Sequence, residues 1–254
     1  MIIEIDIGNT RMKWRLRGDE GHVLKRGFTL TSTVTSVASL DALFAEESLV
    51  GLYRVRIATV VSSHNGHLVE WAKQYGIEPS FAITEAYCAG VTNAYKTVAQ
   101  MGVDRWLATI AAYGRVKGAC LVIDAGSALT VDVVQADGQH KGGYIVPGLE
   151  MMYRSLLGDT EQLNLSQKKW RQYPLIPTLS DNTQQAVLSG LPLMLLGLVR
   201  NVLSAVEDGR QPPVVLVTGG DGDYVAKLLL HHAVRDVEYV PELVMDGLSL
   251  VFNE

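Results

Sequence analysis

Two stretches of this chain, 118 residues apart from Asp6 to Asp124, run through the same events in the same order. Ile3, Ile5 and Ile7 alternate with Glu4, Asp6 and Gly8, which is the period of a strand. Gly8-Asn9-Thr10 interrupts the run, and alternation resumes over Met12–Leu16, so the segment reads as a hairpin with a glycine turn. LVIDAGSALTVDVV at 121–134 repeats it: Asp124 falls on Asp6, Gly126 on Gly8, and a small polar residue follows each glycine. The interval is close to half of the 254 residues. An internal duplication is the economical reading, with a first domain over 1–117 and a second over 118–254, each opened by the same hairpin.

The remaining pattern fills in an α/β chain. VLKRGFTL at 23–30 reads as a strand, and residues 33–49 as a helix with Val34, Val37, Leu40, Leu43 and Phe44 inward. VRIATVV at 55–61 is a buried strand, 67–76 a helix closing on Gly76, and 103–116 a helix with Trp106, Leu107, Ile110 and Ala111 in the core. In the second half KGGYIVPGL at 141–149 is a strand and turn, followed by a helix to about 157. Residues 158–181, polar and broken by Pro174 and Pro177, read as a loop or lid. A Leu-rich helix over 182–208, a buried strand over 214–222 that ends in a glycine turn, and helices over 222–232 and 241–253 complete the chain.

Composition removes several functional classes. A net charge of −5 leaves no basic footprint for nucleic acid or an anionic membrane, and Trp14, Trp71, Trp106 and Trp170 are not interleaved with Lys or Arg as a stacking platform would be. The longest apolar run, LPLMLLGLV at 191–199, is far short of the roughly 20 residues of a membrane span. Glu4 and Asp6 stand where a signal peptide needs apolar residues, so a cytoplasmic protein is expected. Cys88 and Cys120 lack metal-ligand spacing. The six histidines lie in polar or terminal contexts and read as surface residues.

Three strands end in glycine turns: Asp6 to Thr10, Asp124 to Ser127, and Thr218-Gly219-Gly220-Asp221-Gly222. Glycine lets main-chain N–H groups come close to a phosphate, and an aspartate before the turn can hold a metal ion or its water. Two such hairpins would grip the phosphates of one nucleotide, and the third turn would close over the nucleoside. No G-x-x-x-x-G-K-[ST] and no strand–GxGxxG–helix unit occurs, which sets aside the P-loop and the Rossmann site.

DIGNT at 6–10, GVDR at 102–105, DAGSALT at 124–130 and GGYIVPG at 142–148, with NTQQAVLSG at 182–190 and TGGDG at 218–222, together resemble the type III pantothenate kinases. These belong to the acetate-kinase, sugar-kinase, Hsp70 and actin superfamily. Ser127 departs from the threonine more common there but keeps the hydroxyl. The resemblance implies two ribonuclease-H-like (actin-like ATPase) domains with mixed sheets and an active-site cleft between them. It also implies transfer of the γ-phosphate of ATP to pantothenate, giving 4′-phosphopantothenate at the start of coenzyme A synthesis.

From the resemblance Asp104 is the expected catalytic base, in accord with the need of phosphoryl transfer to an alcohol for a carboxylate that takes the proton. Asp6, Ile7, Gly8, Asn9, Thr10, Arg11, Met12, Lys13 and Ser127 are the expected ATP-binding residues, with Asp6 toward the magnesium of the nucleotide. Tyr95, Gly102, Val103, Asp104, Arg105 and Thr183 are the expected substrate contacts, Arg105 pairing with a carboxylate. Asp124 is the expected ligand of a potassium or ammonium ion, and a homodimer is expected, with part of the pocket built across its interface. From residues alone, Asp104 is equally a helix cap, Thr183 the cap of the helix after it, and Lys13 a solvated side chain. Another phosphotransferase of the superfamily, or a nucleotide-binding regulator without turnover, is also open at this point.

Overall fold

The computed structural model describes residues 1–19, 21–45, 47, 49–158, 173–206 and 212–252. Most of the expected loop or lid, residues 159–172 with Trp170, lies outside the described residues. The chain divides into two compact units, Met1–Ala89 with Tyr95–Ala111 and Leu243–Glu254, and Gly90–Ala94 with Ala112–Glu242.

The first unit holds β1 (Ile2–Ile7), β2 (Arg11–Arg17), β3 (Val23–Leu30), a 3-10 turn (Thr31–Thr33), α1 (Val37–Phe44), β4 (Arg54–Thr59), α2 (Asn65–Gln74), β5 (Ser80–Phe81) and the short β6 (Tyr87–Cys88). The sheet order is β3-β2-β1-β4-β5, with β1 antiparallel to β2 and parallel to β4. Ile3, Ile5 and Ile7 pack with Leu40 and Phe44 of α1 and with Leu68 and Trp71 of α2. Phe44 stands 5.4 Å from Trp14 and 5.0 Å from Trp71, ring centre to ring centre, so aromatic rings fill the layer. The expected helix over 33–49 is shorter than its apolar pattern. Ser36 is extended, and its side chain accepts from Ser39 N–H in a capping box, so α1 starts at Val37 while Val34 is buried ahead of it.

The second unit holds β7 (Val91–Thr92), β8 (Cys120–Ala125), β9 (Ala128–Val134), β10 (His140–Pro147), α4 (Leu149–Gly158), α5 (Thr183–Val206), β11 (Val214–Thr218), α6 (Gly222–His231) and β12 (Val237–Tyr239). Its sheet order, β10-β9-β8-β11-β12, repeats the first: third, second, first, fourth, fifth along the chain. Leu121, Ile123, Val131 and Val217 pack under Leu188, Leu195 and Val199 of α5 and Val225 and Leu229 of α6. The fold is α/β with two mixed sheets of one topology, which is how a duplicated chain folds.

α5 is, by length and composition, apolar enough to cross a membrane, where its nine-residue apolar run at 191–199 led to the expectation of no membrane span. Leu188, Leu191, Leu195, Leu196, Val199 and Val202 of the same helix are core of the second unit, as an apolar stripe of a buried helix is.

The last helix corrects the expected division. α3 (Val103–Val116) contributes its first turns to the first unit, and so does α7 (Leu243–Phe252), which the 118–254 domain was expected to contain. The reason is a buried charge. Glu4, on the face of β1 opposite the isoleucines, has no solvent exposure. Its carboxylate accepts from Arg15 Nε at 2.6 Å, Arg56 Nη1 at 3.3 Å, Arg17 Nη1 at 3.4 Å and the Ser249 hydroxyl of α7 at 2.8 Å. Arg15 also donates to Asp246 and to the Met245 carbonyl of α7, and Arg56 to the Phe252 carbonyl at its C-terminal end. Burial disfavours the charged form of Arg15, but the Glu4 charge and the bonds to Asp246 and Glu4 outweigh it and hold its pKa above the ordinary value. Burial dominates at Arg56 and draws its pKa down, against the bond and charge of Glu4.

Glu4→Gln keeps the shape but removes the buried carboxylate charge that Arg15, Arg17 and Arg56 share, leaving Arg15 only the Asp246 carboxylate. Breaking a buried pair in this way costs about 3–5 kcal/mol. Urea denaturation of the variant is expected to show a loss of that order, and a loss under about 1 kcal/mol would mean that the network is not a foundation of the first unit.

Candidate active site

Each of the two expected phosphate turns closes its own hairpin. In the first, Ile7 pairs with Met12, and Gly8 N–H donates to the Arg11 carbonyl at 3.0 Å. In the second, Ala125 pairs with Leu129, and Gly126 N–H donates to the Ala128 carbonyl at 3.0 Å, so this turn is one residue tighter. Asp6 is 8% exposed, on the Glu4 face of β1, and lies in register with Lys13. Asn9 and Thr10 are exposed at the turn, as is Ser127 in the second. Arg11 carries its guanidinium 5.4 Å from the Phe28 ring centre. Ile7 and Met12 are buried core residues. Of the ATP-binding set these two can offer only main-chain atoms to a ligand.

Neither Gly8 nor Gly126 has a positive φ. A Cβ at Gly8 would meet only the Arg11 carbonyl at 3.5 Å, and one at Gly126 the Ala128 carbonyl at 3.6 Å and Asp124 Oδ1 at 3.8 Å, all ordinary contacts. The fold itself therefore has room for a small side chain at both glycines. Gly219 and Gly148 are different. Gly219 has φ +92 and a Cβ there would lie 2.4 Å from the Ala125 carbonyl, while a Cβ at Gly148 would lie 2.2 Å from the Gly126 carbonyl. These two let main chain pass over the Asp124 turn.

Asp124, next to last in β8, lies beside Thr130 on β9 and Thr218 on β11. The Thr218 hydroxyl is buried and makes no hydrogen bond, an orphaned oxygen in register with the carboxylate. Among the described residues no three His, Cys, Asp or Glu side chains cluster as a cage for a metal ion. Cys120, at the other end of β8, is buried, which pushes its thiol up to about 12 and makes it no nucleophile.

Asp104 and Arg105 lie in the first turn of α3. Trp106 N–H donates to the Gly102 carbonyl at 3.1 Å, so the helix begins at Val103 and Asp104 sits inside it rather than capping it. Its carboxylate, partly exposed, accepts from Arg105 N–H at 2.7 Å. Arg105 is 6% exposed and donates from Nη1 to the Tyr95 hydroxyl at 2.9 Å. The fold thus brings Tyr95, Gly102, Asp104 and Arg105 together, with Val103 facing inward. Thr183 is exposed on the first turn of α5, and its helix is capped by Asn182, whose side chain accepts from Gln185 N–H at 3.0 Å.

One expectation fails outright. His140 is 2% exposed, and its Nε2 lies 3.0 Å from Asp132 Oδ1, also buried. An extra residue in β10 between His140 and Gly143 shifts the register to β9 and turns the ring inward. The Gly142-Gly143 pair after the histidine was the available signal, since a glycine pair inside a strand marks a bulge.

Solved structures share this fold. The chain is similar to the activator of the 2-hydroxyisocaproyl-CoA dehydratase of Clostridium difficile, with TM-score 0.56 and 10% identity over 98% of this chain and 93% of that one. It is also similar to a Campylobacter jejuni protein assigned to the Baf family of transcriptional activators, with TM-score 0.59 and 19% identity over 97% and 95%. Two mixed sheets of one topology, each with a strand–glycine turn–strand hairpin, define the class: the actin-like ATPase and sugar-kinase fold. The model of the type III pantothenate kinases matches residues 2–205, and the type III pantothenate kinase of Cellvibrio japonicus is 34% identical over 259 residues, covering 100% of this chain and 97% of that protein. The chain belongs to the type III pantothenate kinase family.

Gly8→Ala and Gly126→Ala are expected to melt close to the parent, and Gly148→Ala and Gly219→Ala several degrees lower. Thermal scans by circular dichroism check this, and equal losses at all four positions would mean that the fold demands glycine in both turns.

Proposed function

We propose that Asp104 is the base of a phosphoryl transfer from ATP to pantothenate, with Arg105 and Tyr95 holding the substrate. Family membership makes the chain a pantothenate kinase of coenzyme A synthesis that uses ATP and a divalent metal. The observation that carries the residue roles is the cluster at the start of α3, a partly exposed carboxylate next to an arginine already bound to a tyrosine hydroxyl. A carboxylate there takes the hydroxyl proton of the acceptor and aims its oxygen. Arg105 supplies charge and forked donors for the pantothenate carboxylate, and its bond to Tyr95 reduces the freedom lost on binding.

The glycine turns serve the phosphates of ATP. Gly8 and Gly126 have room for a Cβ in the fold, so what their lack of a side chain provides is approach for a ligand to the main-chain N–H groups. Asn9, Thr10 and Ser127 add polar groups at those turns, and Lys13 adds charge beside Asp6. Mg2+ is bound mainly by phosphates with one or two carboxylates, a role that Asp6 fits. Bound there, it would neutralise phosphate charge in the transfer.

Asp124 fits a monovalent cation, potassium or ammonium, because the unpaired Thr218 oxygen lies in register with its carboxylate. We assign the chain to the cytoplasm, where ATP is available, in keeping with its free Cys88 and Cys120. A homodimer, with Thr183 contributing to the substrate pocket, completes the reading.

Asp104→Asn is expected to bind ATP normally and lose about 10²–10⁴-fold in kcat. An Asn variant that keeps a third of the parent kcat would remove Asp104 as the base. The parent enzyme is expected to be active in potassium or ammonium and poorly active in sodium, with Asp124→Asn needing more potassium for half-maximal rate. Equal parent rates in sodium and potassium would remove the cation from the site.

A further inference from the structure

The first glycine turn is held from outside the hairpin by one side chain. Thr31, the first residue after β3, is 3% exposed. Its hydroxyl donates to the Gly8 carbonyl at 2.8 Å and its N–H donates to the Thr10 carbonyl at 3.0 Å. The peptide bonds here are trans. In a trans peptide the C=O and the following N–H point in opposite directions. With the Gly8 carbonyl drawn onto the Thr31 hydroxyl, the Asn9 N–H of the same peptide is turned away from Thr31. A main-chain N–H held in place at a turn is a donor that a phosphate oxygen binds.

The second turn makes the comparison. Gly148 stands at the matching place, the first residue after the third strand of its sheet, and its N–H donates to the Ser127 carbonyl at 3.0 Å. No side chain fits there, because a Cβ would lie 2.2 Å from the Gly126 carbonyl and 2.7 Å from the Ser127 carbonyl. The same carbonyl that Gly148 crowds is, in the first turn, the one that the Thr31 hydroxyl bonds. The duplicated device is thus secured in two ways, by a close main-chain crossing in the tighter second turn and by a threonine in the longer first one.

We propose that Thr31 is a positioning residue for ATP, setting a main-chain donor of the first phosphate turn without touching the nucleotide. The proposal rests on the reading that this turn binds phosphate. It is tested with steady-state KM values for ATP and for pantothenate in Thr31→Val, which keeps the shape and removes the donor, and Thr31→Ser, which keeps the donor. Thr31→Val is expected to raise KM for ATP about fivefold, the loss of one neutral hydrogen bond, with KM for pantothenate changed less than about twofold. Thr31→Ser is expected to stay near the parent. If Thr31→Val does not fold, Thr31→Ser against Thr31→Ala isolates the hydroxyl, and equal KM for ATP in those two overturns the proposal. A parent-like KM for ATP in Thr31→Val overturns it as well. Asp6→Ala and Gly8→Val in the same assay separate the two levels. If they too leave ATP handling unchanged, the phosphate turn itself is wrong; if they impair it while Thr31→Val does not, only the role of Thr31 is.

Discussion

The first unit is organised around a carboxylate that water does not reach. Glu4 lies in the middle of β1 and meets arginines from β2 and β4 together with Ser249 of α7. A lone buried carboxylate is costly and a half-compensated one remains so, and this constrains every element that supplies a partner. Strand β1 is locked between its two neighbours, and the last helix of the chain is drawn onto the first sheet. Arg56 completes the closure at the Phe252 carbonyl, where a cation meets the negative end of a helix. Asp6, two residues along the same face of β1, inherits its position from that lock.

The duplication preserved topology and let the details diverge. Both sheets run third, second, first, fourth, fifth, and both put an aspartate near the end of the central strand with a glycine turn after it. The turns differ by one residue, and that residue changes what can stand beside them. The shorter turn excludes any side chain at position 148, while the longer one makes use of the hydroxyl at position 31. Asp132 and His140 form a buried pair on the second sheet, whereas the buried charge on the first centres on Glu4. Equal folds do not require equal interiors.

α5 shows why composition is a weak guide to environment. Its run of leucines satisfies a test for spanning a bilayer, and its heptad-like stripe is equally what a core helix presents to a sheet. Packing against Leu121, Ile123 and Val217 decides the matter for the buried side of the helix. Pro192 lies in the interior of the helix.

The hairpins, the glycine turns and the duplication were legible in the residues alone, because strand alternation and turn chemistry are local properties. The cluster of Asp104 and Arg105 was legible as a motif, and so was the approximate extent of α2, α3, α5 and α6. What the residues did not contain was which distant groups meet. Glu4 read as the polar face of a strand and proved to be its most buried charge, since its partners lie 11, 52 and 245 residues away. α7 read as part of the second domain because chain order suggested it, and the arginines of the first sheet drew it to the other unit. His140 read as exposed because its neighbours are polar, and a one-residue bulge turned it inward. Local pattern determined the elements and the turns; only the tertiary structure decided which charges are buried together, because that cost is settled between residues remote in sequence.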